Sequence, residues 1–338
     1  MSADIPNQEN PKSQRYEEGN RVADWLLFAM RFRLLFVKIA IIFSGCLKLM
    51  SAIISFIFQI VAKLPLPVLY YLGSFLGSLA YFLAPQLRRR IRENLRQADL
   101  PCDTKTARRV AIEAVRSGLE LTIAWTRQPE YMVSLFHDTQ GWEYIEQAIE
   151  NKHGLLLITP HLGSYDLAGR FISENLPFDL TAMYRPPKKA YLEPIMTAGR
   201  ERGKGHAAPA NASGVRQVVR ALKKQEAVII LPDQVPQAGE GVWVPFFGKT
   251  AYTMSLAARL AVMNNVTPLM FCGERLAGGK GFRLNIVPFS GSLNGDKEHD
   301  AALINHNAEN LIRRFYMQYL FSYNRYKTPA GVEKPADK

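Results

Sequence analysis

Four consecutive apolar residues in the middle of the chain, Leu155, Leu156, Leu157 and Ile158, follow Gly154 and stop short of Pro160. An unbroken apolar run of this length is what a strand covered on both faces requires, and it points to the interior of an α/β sheet. Directly after the break come His161, a loop containing Gly163, and Asp166 at the head of a segment, 167–175, of helical character. Open α/β sheets bind their ligands outside the carboxyl ends of their strands, so His161 stands where such a fold places its chemistry.

The rest of the C-terminal two thirds agrees with this placement. Strands are expected at 178–184, 227–231, 267–275 and 282–288, separated by helices at 192–203, 215–224 and 254–263, with a final helix at 300–323 and 242–253 as a loop. Strands alternating with helices imply a mostly parallel central sheet flanked by helices. The N-terminal third differs in character. Residues 1–22 are polar and rich in Pro, Asn and Glu, and are expected to be a disordered leader. From there to residue 92 the chain is strongly apolar. Within it, 39–62 carries Lys48 as its one formal charge and is long enough to reach across roughly 30 Å of hydrocarbon. A second apolar helix, 64–85, places Gly73 and Gly77 four residues apart, a spacing that lets helices pack closely. The expected organisation is therefore a leader, apolar membrane-anchoring helices at 23–92, an α/β catalytic domain at 93–328 and a tail at 329–338. Basic residues flank the apolar stretch on both sides, so charge asymmetry does not orient it.

Charge narrows the partners. With a formal net charge of +12, the chain suits anionic ones, and the run Arg88, Arg89, Arg90, Arg92 directly after two apolar helices favours anionic membrane lipid. A nucleic-acid reading element is not evident, so nucleic acid is not an expected partner. The three cysteines are scattered and form neither a metal-ligand spacing nor a disulfide framework. Neither a GxGxxG turn nor a Walker A loop is present, so no cofactor and no metal are expected.

Three strand ends deliver polar side chains to one edge of the sheet: His161 and Asp166, Tyr184 and Arg185, Asp233 and Gln234. Such a set suits proton abstraction from an alcohol by an imidazole that a carboxylate orients. Ser164 lacks the GxSxG frame of a nucleophile, so direct attack of a hydroxyl on an activated acyl group is the simplest chemistry. Gly163 and Ser164 are expected to leave room for the activated acyl group. Other readings of the same residues are a hydrolase and a non-catalytic, basic, membrane-associated binding protein.

Pro160-His161 with Asp166 forms an HxxxxD motif. Together with Tyr184-Arg185-Pro186, Leu231-Pro232-Asp233-Gln234, Val244-Pro245-Phe246-Phe247-Gly248 and Gln318-Tyr319 followed by Tyr323-Asn324-Arg325-Tyr326-Lys327, it resembles the late acyltransferases of lipid A biosynthesis, within the lysophospholipid acyltransferase superfamily. The resemblance implies a bacterial inner-membrane enzyme with its active site toward the cytoplasm. It further implies acyl carrier protein as donor and a hydroxyl of a Kdo-bearing lipid A precursor as acceptor, with another lysophospholipid or glycolipid acceptor as the alternative. By the motif, His161 is the general base and Asp166 its orienting partner. Arg185 serves the oxyanion or a substrate phosphate, Asp233 supports the site, and Tyr184, Gln234 and Lys188 contact substrate. One departure is Phe321, where the family usually carries tryptophan.

Overall fold

The computed structural model describes residues 49–187 and 189–335. The expected leader, the apolar stretch before residue 49 and Lys188 lie outside the described residues. Two compact units divide the chain, Met1–Ile53 and Ile54–Lys338. Of the first, the described residues are helical, belonging to the apolar helix α1 (Leu49–Ala62).

The second unit is built on a seven-stranded sheet in the order β1-β9-β8-β2-β5-β3-β4. Its strands are β1 (Phe136–Gln140), β2 (Gly154–Ile158), β3 (Leu180–Tyr184), β4 (Gly205–Pro209), β5 (Ala227–Ile230), β8 (Val266–Arg275) and β9 (Phe282–Pro288). Every pairing is parallel except β8 with β9. The apolar run that marks β2 is buried throughout, and alternate residues serve opposite faces. Leu156 and Ile158 pack with Val228, Ile230 and Met270 in one core, whereas Leu155 and Leu157 pack with Ile229, Leu269 and Phe271 in the other. The sheet is therefore the wall between two hydrophobic layers, as its sequence requires.

Two strands escape the apolar pattern. Strand β1 reads FHDTQ and lies at an edge, and β4 reads GHAAP and forms the opposite edge. Edge strands need no continuous apolar run, which is why periodicity passes over them. The expected loop at 242–253 is instead a hairpin of β6 (Gly241–Phe246) and β7 (Lys249–Met254). Phe247 and Gly248, with φ of 49° and 73°, make its turn. The final helix α11 (Lys297–Arg314) ends before the expected residue 323, because the chain from Phe315 turns inward beneath His161.

Helix α2 (Leu66–Leu83) packs along α4 (Thr104–Thr126). The expected glycine pair makes this contact close: a Cβ on Gly77 would stand 2.4 Å from the Ile112 Cα, and one on Gly73 would meet the Arg116 side chain at 2.6 Å. Within the joint lies a buried ionic group. The Arg116 guanidinium lies 3.3 Å from the Tyr70 ring centroid and 2.5 Å from Glu113. Arg275, at the end of β8, reaches Glu113 at 2.6 Å and also pairs with Glu120. Two buried arginines and two buried glutamates thus pair where helix pair and sheet meet, with the half-exposed Arg109 also 2.7 Å from Glu113. Their mutual hydrogen bonds offset the cost of taking four charges out of water. Helix α2 is long and apolar enough to cross a membrane by length and composition, yet one of its sides is seated on protein.

Candidate active site

The carboxyl ends of β2, β5 and β3 lie side by side, since β5 pairs with both neighbours. This brings together His161, Asp233, Gln234, Tyr184 and Arg185, the residues expected at one sheet edge. Asp233 grips His161 with both oxygens. Its Oδ1 lies 2.8 Å from Nδ1 of the imidazole, and its Oδ2 accepts the His161 backbone N–H at 3.0 Å. A carboxylate accepts only, so the ring donates from Nδ1 and its Nε2 carries the lone pair. The Gln234 amide nitrogen lies 3.1 Å from that Nε2 and donates to it. The Tyr165 ring meets the imidazole edge-on, with centroids 4.9 Å apart.

The carboxylate on the imidazole is therefore not the one expected from the HxxxxD spacing. Asp166 begins the second position of helix α7 (Tyr165–Asn175) and binds Arg200, at the end of helix α8 (Glu193–Arg200). The Arg200 Nη2 lies 3.0 Å from Oδ2, with further bonds from Nε and Nη2 to Oδ1. Two carboxylates thus have separate cations or donors: Asp233 takes His161, and Asp166 takes Arg200. Burial alone would raise the Asp233 carboxyl pKa, but its contacts with His161 and the charge of Arg325 together hold it below the usual carboxylate value. For Arg200, burial works against the charge and Asp166 more than compensates.

Support comes from beneath. Gly163 has φ of +61°, and a Cβ there would meet the Gly273 carbonyl oxygen at 2.1 Å, so this glycine is required by backbone packing and not by substrate space. Its N–H donates to the Gln318 carbonyl at 3.0 Å, and its own carbonyl accepts from Ser117 Oγ at 3.0 Å. Ser164 is buried and does not border the cavity. The Leu320 N–H donates to the His161 carbonyl at 3.1 Å. Burial, together with the negative charge of Asp233, pushes the Tyr319 hydroxyl pKa upward. The Tyr323 hydroxyl accepts the Val235 N–H at 3.0 Å. Phe321 fills its place as an apolar ring, packed edge-on to Tyr319 at 4.8 Å, and Asn94 donates to its carbonyl at 2.7 Å.

His161 opens onto a cavity of about 440 Å³. One part of the wall is apolar, made by Leu121, Trp125, Met183, Met196, Val215 and Leu256; another carries Asp166, Arg185, Arg200 and Arg259. Arg185 is fixed by a bond from Nη1 to the Val235 carbonyl at 3.1 Å, and the Tyr184 hydroxyl donates to Glu193 at 3.3 Å. Apolar walls with a few placed polar groups are the usual form of a site for a chain-bearing ligand. Sequence reading passed over Arg259, Tyr165 and the Arg200 to Asp166 pairing. The signals available were the four-residue step from Ser255 to Arg259 on a helix and the alternation of Arg200 with Asp166 across a crossover; neither is specific alone. Phe246 and Phe247 are core residues and do not border the cavity. Among the described residues, no group of three or more His, Cys, Asp or Glu side chains is placed to hold a metal ion.

With this geometry in view, similarity to known proteins is informative. A family model described as bacterial lipid A biosynthesis acyltransferase matches residues 46–328. The lipid A biosynthesis palmitoleoyltransferase of Escherichia coli (strain K12) is 31% identical over 278 residues, covering 80% of this chain and 88% of that protein. The lipid A biosynthesis lauroyltransferase of the same organism is 29% identical over 281 residues, covering 81% and 90%. A lipid A biosynthesis acyltransferase of Haemophilus influenzae is 25% identical over 290 residues, covering 83% and 91%.

Proposed function

Because the chain belongs to the bacterial lipid A biosynthesis acyltransferase family, we propose that it moves a fatty acyl chain from an acyl carrier protein thioester to a hydroxyl of a Kdo-bearing lipid A precursor, at the cytoplasmic side of the inner membrane. The observation that carries this reading is the base in the wall of a partly apolar cavity: His161, oriented by Asp233, with its Nε2 lone pair directed away from the carboxylate.

The acceptor hydroxyl takes the place of the Gln234 amide at Nε2. As its oxygen forms the new C–O bond to the thioester carbonyl carbon, its proton passes to Nε2. Asp233 stabilises the resulting imidazolium without itself being protonated. The carbonyl oxygen becomes the oxyanion. The Gln234 amide, once released from Nε2, and the Arg185 guanidinium, held at the end of strand β3, are the donors at hand for it. Donors aimed at developing charge in a dry site act most strongly on the rate. Collapse of the intermediate breaks the C–S bond, and the departing sulfur takes the proton from imidazolium. Ester and thiol leave, and His161 is neutral again.

Asp166 acts through Arg200. Their pairing ties the start of α7 to the end of α8 and so fixes the cavity wall between them. Tyr184 and Glu193 hold the other end of α8. The apolar wall receives the acyl chain, and Arg259 and Arg185 face the anionic part of donor or acceptor.

His161→Ala tests the reading. The folded variant is expected to lose at least about two orders of magnitude in transfer rate, the scale of a general base. Transfer at the wild-type rate would remove His161 from the mechanism. Incubating the wild type with acyl carrier protein thioesters and either a lipid A precursor or lysophospholipids distinguishes the acceptors by mass spectrometry.

A further inference from the structure

The chemistry makes no use of the outer side of the helix that starts at the cavity, α9 (Ala212–Lys223). Its inner side belongs to the core, with Gly214, Val218, Ala221 and Leu222 buried. On the other side Arg216, Arg220 and Lys223 are all exposed, and steps of four and three residues put them in one row. Nothing within the protein answers this charge. Arg89, Arg170, Arg200 and Arg283 each have a carboxylate of their own. Among the described residues, Arg216, Arg220 and Lys223 have neither an ion pair nor a side-chain hydrogen bond; Glu226, just beyond the helix, lies 3.7 Å from Lys224 instead.

The row also has a place. Cavity-lining residues that are themselves exposed mark the mouth, and these are Arg185, Asn211, Ala212, Gly239, Glu240 and Arg259. Ala212 begins α9, and Arg259 stands on α10 (Leu256–Ala261). The side chain of Asn211 accepts the Gly214 N–H at 3.0 Å, which fixes how the helix leaves the mouth. At about 1.5 Å per residue, the row runs from about 6 Å to about 17 Å beyond Ala212. An acyl group held as a thioester on a flexible arm has to enter such a mouth while its carrier stays outside, resting on the surface beside it. A bilayer would need apolar side chains to sink into it. Among the described residues the exposed large apolar ones lie mostly on α1 and α2, and α9 carries none. A row of free cations without apolar surface suits an acidic soluble protein, which it steers and orients. We infer that the outer side of α9 is the docking face for the acidic carrier protein, whose acyl-bearing arm enters the cavity between α9 and α10. This face rests on the acyl transfer proposed above, and adds where on the enzyme the donor sits.

The test reads donor and acceptor separately, with the full chain in neutral detergent micelles. Arg216→Glu with Arg220→Glu reverses two charges of the row. The KM for acyl carrier protein thioester is expected to rise at least about tenfold, the low end of what charge steering adds to association rates, and the rise to shrink with added salt. The kcat at saturating carrier, the KM for the lipid acceptor and the melting temperature should stay at wild-type values. Lys105→Glu with Arg108→Glu makes the same change in net charge at the exposed start of α4, far along that helix from cavity-lining Leu121 and Trp125, and should leave the donor KM unchanged. Were the glutamate pair to melt early, Arg216→Gln with Arg220→Gln replaces it, with a smaller rise expected in the same constant. An unaltered donor KM in the α9 variants, an equal rise in the α4 control, or a rise in the acceptor KM alone would each overturn the docking face while the reaction stands. Absence of transfer from the carrier thioester by the wild type would instead overturn the reaction. Fluorescence anisotropy of labelled acyl carrier protein then decides the face by itself: weaker binding to the α9 variant supports it, and equal binding to both proteins, or binding to neither, overturns it.

Discussion

Asp233 and Asp166 present two carboxylates to one small site, and their partners separate their tasks. Asp233→Asn keeps the shape but replaces a carboxylate oxygen by an amide. The imidazole then loses the acceptor that fixes its tautomer and stabilises its charged form, so kcat should fall by about 10²-fold or more with KM little changed. Asp166→Asn leaves His161 and Asp233 in contact and leaves Arg200, buried beside it, without its carboxylate. Its expected signature is a raised KM and a lowered melting temperature, with a smaller fall in kcat. If Asp166→Asn abolished kcat and Asp233→Asn spared it, the two assignments would have to be exchanged. Gln234→Ala tests the oxyanion donor: a fall in kcat of about 10²-fold is the scale for one lost donor, and an unchanged kcat would relieve Gln234 of that role. Substitution at Gly163 belongs to another class. Because its Cβ would run into the Gly273 carbonyl oxygen, Gly163→Val should yield unfolded or poorly soluble protein, seen by circular dichroism, before any change in turnover can be read.

At the scale of elements, the joint of α2, α4 and β8 rests on four charges. Arg275→Met removes one cation and strands Glu120 and part of Glu113 in an apolar surround. Breaking a buried pair in this way costs about 3–5 kcal/mol, to be measured by denaturant unfolding; a loss below about 1 kcal/mol would show that water reaches the glutamates. This joint explains what was legible in the chain and what was not. Gly73 and Gly77 announce a close helix contact through their spacing, but nothing local says that the partner is α4, 35 residues on, or that Arg275 completes the group. Likewise Leu155 to Ile158 declare a buried strand, and the polar residues after β2, β3 and β5 declare one reactive edge. That Asp233, and not Asp166, contacts the imidazole was not legible, because an i to i+5 spacing places Asp166 near His161 in the chain while the pairing of β2 with β5 brings Asp233 to it in space. The hairpin of β6 and β7 was hidden by Pro245 and by aromatic residues that read equally well as a loop.

At the scale of the molecule, the sheet edge with His161 and Asp233 and the helix α2 belong to one compact unit, and the buried Asp233 carboxylate ties the stability of that unit to pH. The Asp233 carboxyl titrates below its ordinary value of 3.8 in the folded chain. Its stabilising contribution is therefore complete above that value and is lost as pH falls through the lower, folded one. Urea unfolding between about pH 6 and about pH 3 should show a loss of stability on acidification that is smaller in Asp233→Asn; an identical slope in the variant would mean that other carboxylates govern acid unfolding. The placement of a base beside an apolar cavity is tested most directly by supplying the purified protein with an acyl carrier protein thioester and a Kdo-bearing lipid A precursor and reading the lipid by mass spectrometry. The wild type should add one acyl group to the precursor, and His161→Ala should add almost none at equal protein and time. Acylation confined to lysophospholipids, or an undiminished product from His161→Ala, would contradict the proposed reaction.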